Sequence, residues 1–380
     1  MMDRYNFVTQ TKRLVVKVGS NVLTAAQGLN LPLIYALSKQ ISQLMEDGRE
    51  VMLVTSGAMA SGQKKIGLSR RPDEIPKRQA VAAVGQAGLI REYEKAFGVY
   101  GIKVAQILLT GDDLRSSRQR YLNARNTLNT LLSWKIIPII NENDTVVVEE
   151  IKFGDNDNLS AMIALLMNAD ILINLTDING LYTGDPRREA NVEMIELVEI
   201  IDKSIERIAG HTPGALGTGG MLSKIKAAIK VTNAGIPMII ANGLTPDVLL
   251  KLISGDNLGT FFLPAKEKLS SKKCWIGYNV KPKGTLRIDD GAAKAILEKG
   301  TSLLPGGIKE VQGSFGVGDA VELTDMRGSR IAVGLANYSA ADIRKIAGFQ
   351  SDRIQECLGQ KLYDEVIHRD NLTVFNDCLL

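Results

Sequence analysis

The 380-residue chain carries 46 Lys and Arg against 42 Asp and Glu, with 45% hydrophobic and 23% charged residues, a balance that excludes disordered, fibrous and membrane classes. Its length exceeds what one ordinary core organises, so two domains are expected, and a net charge of +4 is too small to point to nucleic acid as the main partner. Three widely spaced cysteines, Cys274, Cys357 and Cys378, and two histidines support neither a disulfide framework nor a zinc site and fit a reducing compartment. No apolar run approaches the roughly 18 residues of a membrane span, and "MMDRYNFVTQTKR" lacks a signal-peptide core; a cytoplasmic protein without membrane contact is expected.

From Leu14 to about Phe262, short β-branched runs alternate with helical stretches. "RLVVKVG", "EVMLVTSG", "KVAQILLTG", "KIIPIINEND", "DILINLTD" and "IPMIIANG" are continuous rather than alternating in polarity, which predicts strands buried on both faces. Helical spacing over Leu31–Met45, Lys77–Phe97 and Met221–Asn233 implies βαβ crossovers. The expectation is a three-layer α/β/α domain with a mainly parallel sheet over residues 8–265. The Lys- and Ser-rich "PAKEKLSSKKCW" reads as an exposed connection, with a linker at 266–278. Beyond it, "GTLRID", "DAVELTD" and "SRIAVGLANY", with a helix around Asp290 to Lys299, predict a small β-rich domain over 279–360. Residues 361–380 form a tail too short for a domain.

Polar residues stand where the strands end: Gly19-Ser20-Asn21, Thr55-Ser56-Gly57, Asn141-Glu142-Asn143-Asp144 and Thr176-Asp177. In open parallel sheets ligands bind beyond the C-terminal strand ends, so these groups should converge on one rim. No G-x-x-x-x-G-K-[ST] is present, and no G-x-G-x-x-G follows the first strand. "GALGTGGMLSKIKAA", Gly214 to Ala228, places glycines before a helix, where free amides attract phosphate oxygens. Lys17 lies inside an apolar strand and must reach the strand end or be paired, because a buried unpaired ammonium is very costly. Lys224, one turn into the helix behind the glycines, could meet it there, and two ammoniums flanking a transferring phosphoryl group would stabilise its charge. "KFGDNDNLSAMIALL" opens a helix with Asp155-Asn156-Asp157-Asn158, more polar groups than one N-cap needs, and Asp157 is a suitable carboxylate to hold the two cations.

"LVVKVGSNVLT", "LVTSGAMASG", "AAVGQAGL", "IINENDTV", "FGDNDNLSA", "LTDINGLYTGDPR" and "GTGGMLSKIKAA", in that order, resemble the glutamate-phosphorylating branch of the amino acid kinase family. "IDDGAAKAILEKGTSLLPGGI" resembles the PUA domain often appended to its bacterial members, and the match covers nearly the whole chain. The resemblance implies transfer of the ATP γ-phosphoryl group to the side-chain carboxylate of L-glutamate, with Mg²⁺. Lys17, Asp157 and Lys224 would be catalytic, with Asp157 orienting the two lysines. Ser56, Asp144, Asp155 and Asn156 would bind glutamate. Lys17, Gly19, Thr176 and Asp177 would lie at the nucleotide, covered by the run Thr218, Gly219, Gly220, Met221, Leu222, Ser223 and Lys224. The metal ligands stay undetermined.

A carboxylate nucleophile is already ionised at neutral pH, so no general base is required, and His211 reads as a loop residue. The resemblance further implies inhibition by proline, association with the following glutamyl phosphate reductase, and a homo-oligomer, dimer or tetramer. The alternatives are a kinase of another small carboxylate, since fold does not determine substrate, and RNA binding through the PUA-like domain as an additional role. The near balance of basic and acidic residues over 279–360 disfavours RNA.

Overall fold

The computed structural model describes residues 4–25, 28–115, 118–146, 156–186, 189, 191–210, 220–265 and 270–375. The chain divides into two compact units, Met1–Lys268 and Leu269–Leu380.

The first unit is built on an eight-stranded sheet: β1 (Arg13–Val18), β2 (Glu50–Val54), β3 (Val104–Leu109), β4 (Ile137–Glu142), β5 (Ile171–Thr176), β6 (Leu197–Val198), β7 (Met238–Asn242) and β8 (Thr260–Phe262). Across the sheet the order is β6-β8-β7-β5-β1-β2-β4-β3. From β7 to β3 every neighbouring pair is parallel, whereas β8 runs antiparallel to β7. All six strands expected from the sequence are present. β3 departs from the expectation of full burial: it is an edge strand with β4 on one side only, and its residues alternate between half-buried and exposed.

The helices between the strands that matter most for the site and the core are α1 (Leu31–Glu46), α2 (Ala58–Lys65), α3 (Ile75–Gly98), α4 (Arg118–Ser133), α5 (Asn156–Met167), α6 (Met221–Asn233) and α7 (Val248–Ser254). α1 starts where the Asn30 side chain accepts from Leu33 N, with Pro32 in its first turn; both favour a helix start. α1, α3 and α7 share a core with Leu14, Val16, Val18, Ile171, Ile173 and Leu175, while α5 lies on the opposite face and contacts both α4 and α6. Successive strand side chains point to opposite faces. Lys17 and Asn174 are register partners on adjacent strands and alternate with those core residues, so both face α5. Two polar side chains thus enter the buried side of the sheet at one spot, beneath the start of one helix.

The second unit holds a five-stranded sheet of β9 (Gly284–Ile288), β10 (Ile308–Gly313), β11 (Ala320–Thr324), β12 (Arg330–Leu335) and β13 (Leu372–Val374), in the order β10-β9-β11-β12-β13. Only β9 and β11 pair in parallel. Helix α8 (Asp290–Lys299) begins with Asp289 Oδ1 accepting from Ala292 N at 2.9 Å and ends at Gly300 with φ 60°, and α9 (Ala340–Ile346) follows β12. Residues of the expected connection and tail build this unit: Ser271–Cys274 and Trp275–Asn279 are helical, Trp275 and Ile276 are buried, and β13 pairs with β12. Such short pieces are given their place by pairing with distant strands and leave little local pattern to read.

Candidate active site

Asp157, the second residue of α5, is the centre of a buried charge cluster. Lys17 Nζ lies 2.5 Å from its Oδ1 and Lys224 Nζ 3.2 Å from its Oδ2. Asn174 Nδ2 donates to Oδ1 at 2.8 Å, and Ser223 Oγ donates to Oδ2 at 2.5 Å. Asp157 is 1% exposed, Lys17 5% and Lys224 6%, so the interactions are shielded from solvent. Burial alone raises the pKa of a carboxyl group, but the Lys17 and Lys224 ammoniums, with hydrogen bonds from Lys17 and Ser223, outweigh it and hold Asp157 well below the ordinary carboxylate range. The two ammoniums facing one carboxylate oxygen each make this a seat suited to an anion that brings further negative charge.

The neighbouring loops complete that seat. Gly19 N donates to Leu175 O at 3.0 Å, and a Cβ at Gly19 would stand 3.6 Å from Lys17 Nζ and 3.3 Å from Leu175 O; glycine keeps the space beside the ammonium open. Asn21 Nδ2 and Thr176 Oγ1 donate to the two oxygens of Asp177, each at 3.1 Å. α6 begins at Gly220, which offers no side-chain cap, so the amides of its first turn, Met221 and Leu222 among them, carry the partial positive charge that attracts phosphate.

A second polar group lies beyond β2 and β4. Asn156 Nδ2 donates to Thr55 O at 2.9 Å, Ser56 Oγ at 2.9 Å and Asn141 Oδ1 at 3.1 Å. Its Oδ1 is buried without a partner, as is Asn174 Oδ1. An unpaired buried acceptor costs about 1–3 kcal/mol, which a bound donor would recover. Asp144, in the turn after β4, has its pKa pushed up to about 6 by burial, with Arg71 acting in the opposite direction.

Of the residues expected from the sequence, Lys17, Asp157, Lys224 and Ser223 come together directly, and Asn156 joins Ser56. Gly19, Asp144 and Asp177 follow, and Thr176 ends, parallel strands at their C-terminal ends on the same rim. Gly220, Met221 and Leu222 form the start of α6. Asp155, Thr218, Gly219 and His211 lie outside the described residues. Sequence reasoning placed Asn141 on the rim without giving it a role and did not single out Asn174 or Gln86. Asn174 was visible by the argument applied to Lys17, a polar residue inside a continuous apolar strand. Asn141 lay within a quoted strand end, and Gln86 within a quoted motif to which no chemistry was attached. Among the described residues no three His, Cys, Asp or Glu side chains gather as a metal cage, and the Asp157 oxygens are taken by four donors. Mg²⁺ is suited to a few protein ligands plus phosphates and water, so these residues offer it no dedicated site.

Two ammoniums bridged by one carboxylate lie at the C-terminal rim of a parallel sheet beside a glycine-led helix start, an arrangement suited to holding an anion. Residues 12–242 match the amino acid kinase family and residues 284–358 the PUA domain; the chain belongs to the amino acid kinase family. It is 52% identical over 372 residues to the glutamate 5-kinase of Syntrophus aciditrophicus (strain SB), covering 98% of this chain and 96% of that one. It is 50% identical over 363 residues to the glutamate 5-kinase of Thermoanaerobacter sp. (strain X514), with coverages of 95% and 97%. The glutamate 5-kinase of Meiothermus ruber is 50% identical over 371 residues, with coverages of 97% and 98%. No helix among the described residues is long and apolar enough to cross a membrane.

Proposed function

We propose that the protein transfers the γ-phosphoryl group of ATP to the side-chain carboxylate of L-glutamate, giving L-glutamyl 5-phosphate as the first step of proline biosynthesis. The single observation that carries this reading is the Lys17–Asp157–Lys224 cluster, supported by nearly full-length similarity to glutamate 5-kinases. An oxygen of the ionised side-chain carboxylate attacks phosphorus, the bond from phosphorus to the β,γ-bridging oxygen breaks, and ADP departs with that oxygen. No proton needs removing from the nucleophile. Lys17 and Lys224 neutralise charge on the transferring group and the leaving phosphate, and Asp157 holds two like charges in place without needing to titrate.

Gly19, Thr176, Asp177 and the run Thr218 to Lys224 line the nucleotide side in this reading. Ser56, Asp144, Asp155 and Asn156 hold the amino acid: Asp144 and Asn156 Oδ1 supply acceptors for an α-ammonium, and Ser56 adds a hydroxyl. Mg²⁺, entering with ATP, would supply charge compensation at its phosphates, and no step is assigned to a protein-held ion. The product is a hydrolysable mixed anhydride, so exclusion of water and association with the reductase that consumes it both suit the chemistry. Proline shares the α-carboxylate and a protonated amine with glutamate and is expected to inhibit by competing at that site. A cytoplasmic homo-oligomer, dimer or tetramer, completes the reading.

The test is an acyl-phosphate trap with Mg-ATP and hydroxylamine, in separate tubes with glutamate, aspartate, N-acetylglutamate or no acceptor, read as iron hydroxamate. Signal with glutamate alone is expected; signal with another acid keeps the mechanism and overturns the substrate. Proline that lowers the rate without competing with glutamate would move its site elsewhere.

A further inference from the structure

The motif "AAVGQAGL" lies on α3, and none of its residues belongs to the charge cluster. Its first glycine makes an unusually close contact: a Cβ at Gly85 would stand 1.8 Å from Ala58 O and 2.4 Å from Gly62 N. Reciprocally, a Cβ at Gly62 would stand 1.9 Å from Val81 O. α2 and α3 therefore touch backbone to backbone, and α2 is the helix that starts directly after Thr55-Ser56-Gly57. This notch brings the next residue, Gln86, to Asn141, whose Nδ2 donates to Gln86 Oε1 at 2.8 Å.

The chain of amides that follows has only one polarity. Glu142 N, a backbone donor, bonds Asn141 Oδ1 at 2.9 Å, so Asn141 must turn its Nδ2 toward Gln86. Thr55 O, a backbone acceptor, takes Asn156 Nδ2, so Asn156 cannot turn its oxygen that way. One backbone group meets one end of each asparagine, Gln86 Oε1 takes the other end of Asn141, without which Asn141 Nδ2 would be a buried donor lacking that acceptor, and the Asn156 contacts fall on its nitrogen. What remains is Asn156 Oδ1, buried and without a partner, an atom that can only accept.

We propose that Gln86 is a specificity-setting positioning residue: acting through Asn141, it adds to the backbone bonds that hold the Asn156 amide with its oxygen free, so that the acceptor site demands a substrate carrying a hydrogen-bond donor, a protonated α-amine. The inference rests on the amino acid reading of the site given above. A site built to pair a donor discriminates against an analogue lacking it far more strongly than an apolar pocket does, because its buried acceptor is then left unpaired.

The test compares glutamate with glutarate, which keeps both carboxylates and lacks the amine, in the hydroxamate assay. Gln86→Met preserves length and helix propensity and cannot accept as an amide does. It is expected to raise KM for glutamate about 10-fold, to leave kcat within about 3-fold, and to reduce the glutamate-over-glutarate preference about 10-fold. Gln86→Glu keeps an acceptor for Asn141 and is expected to hold the preference within about 3-fold of the wild type. A Met variant that loses kcat with the preference intact would show mere packing, and a Glu variant that loses the preference would also overturn the proposal, whether or not the Met variant folds. Calorimetric binding of the two acids repeats the comparison without turnover. A wild type that binds glutamate over glutarate yet forms no hydroxamate would sink the kinase reading while supporting this one; equal binding of the two acids would sink this one.

Discussion

Replacing Asp157 by Asn removes the one negative charge between two ammoniums while nearly preserving shape. The wild-type carboxylate meets Lys17 at 2.5 Å and Lys224 at 3.2 Å, all three groups being almost fully buried. Removing one partner of a buried ion pair costs about 3–5 kcal/mol because the other charge is left uncompensated. At about 2–4 °C per kcal/mol for a domain of this size, Asp157→Asn should melt roughly 6–20 °C below the wild type at pH 7. The sign of the pH dependence follows from the lowered pKa: the stabilisation by Asp157 is fully present above its unfolded pKa of about 4 and is lost as pH falls through the lower folded value. The gap in melting temperature should therefore be level from about pH 5 to pH 8 and narrow below about pH 4. Turnover should fall by about 10²–10³, the scale of losing one preorganised electrostatic contact in a transition state. Calorimetric melts at four pH values and the hydroxamate rate measure both quantities. An Asn variant that melts within 1–2 °C of the wild type would refute the reasoning, since the carboxylate would not then be what keeps the ammoniums buried.

Lys224→Met leaves Asp157 neutralised by Lys17, so stability should change by less than about 1 kcal/mol while turnover drops about 10²–10³; unchanged turnover would remove Lys224 from the mechanism. Asp144 has a pKa raised to about 6, so kcat/KM for glutamate should fall as pH drops through about 6, and Asp144→Asn should weaken glutamate binding and flatten that limb. Because its folded pKa lies above the unfolded value of about 4, Asp144 stabilises the free protein below that value and loses the effect as pH rises through about 6, opposite in sign to Asp157, which a pH series of melts on Asp144→Asn resolves. Gly85→Ala puts a methyl group 1.8 Å from Ala58 O and should cost about 1–3 kcal/mol by forcing α2 from α3; a melting point equal to wild type would show that the helices separate freely.

What the sequence determined by itself was whatever is written locally. Six β-branched runs and three helical stretches declared a parallel sheet, because burial on both faces demands continuous apolar residues. Lys17 in β1 and the surplus polar residues opening α5 pointed to a candidate site, because neither belongs in an apolar segment without a partner. Tertiary structure alone decided which partner each group found. Asn174 became a donor to Asp157 only because β5 lies beside β1 in a register that sets it against Lys17, and 17 positions separate it from Asp157 along the chain. Gln86 reaches Asn141 across 55 residues through a glycine contact between two helices that no periodicity announces. The same holds for β13, which joins β12 from the far end of the chain. Periodicity reports which face a residue turns to the core; the partner on that face is chosen by strand order and helix approach, which depend on contacts between residues far apart in sequence.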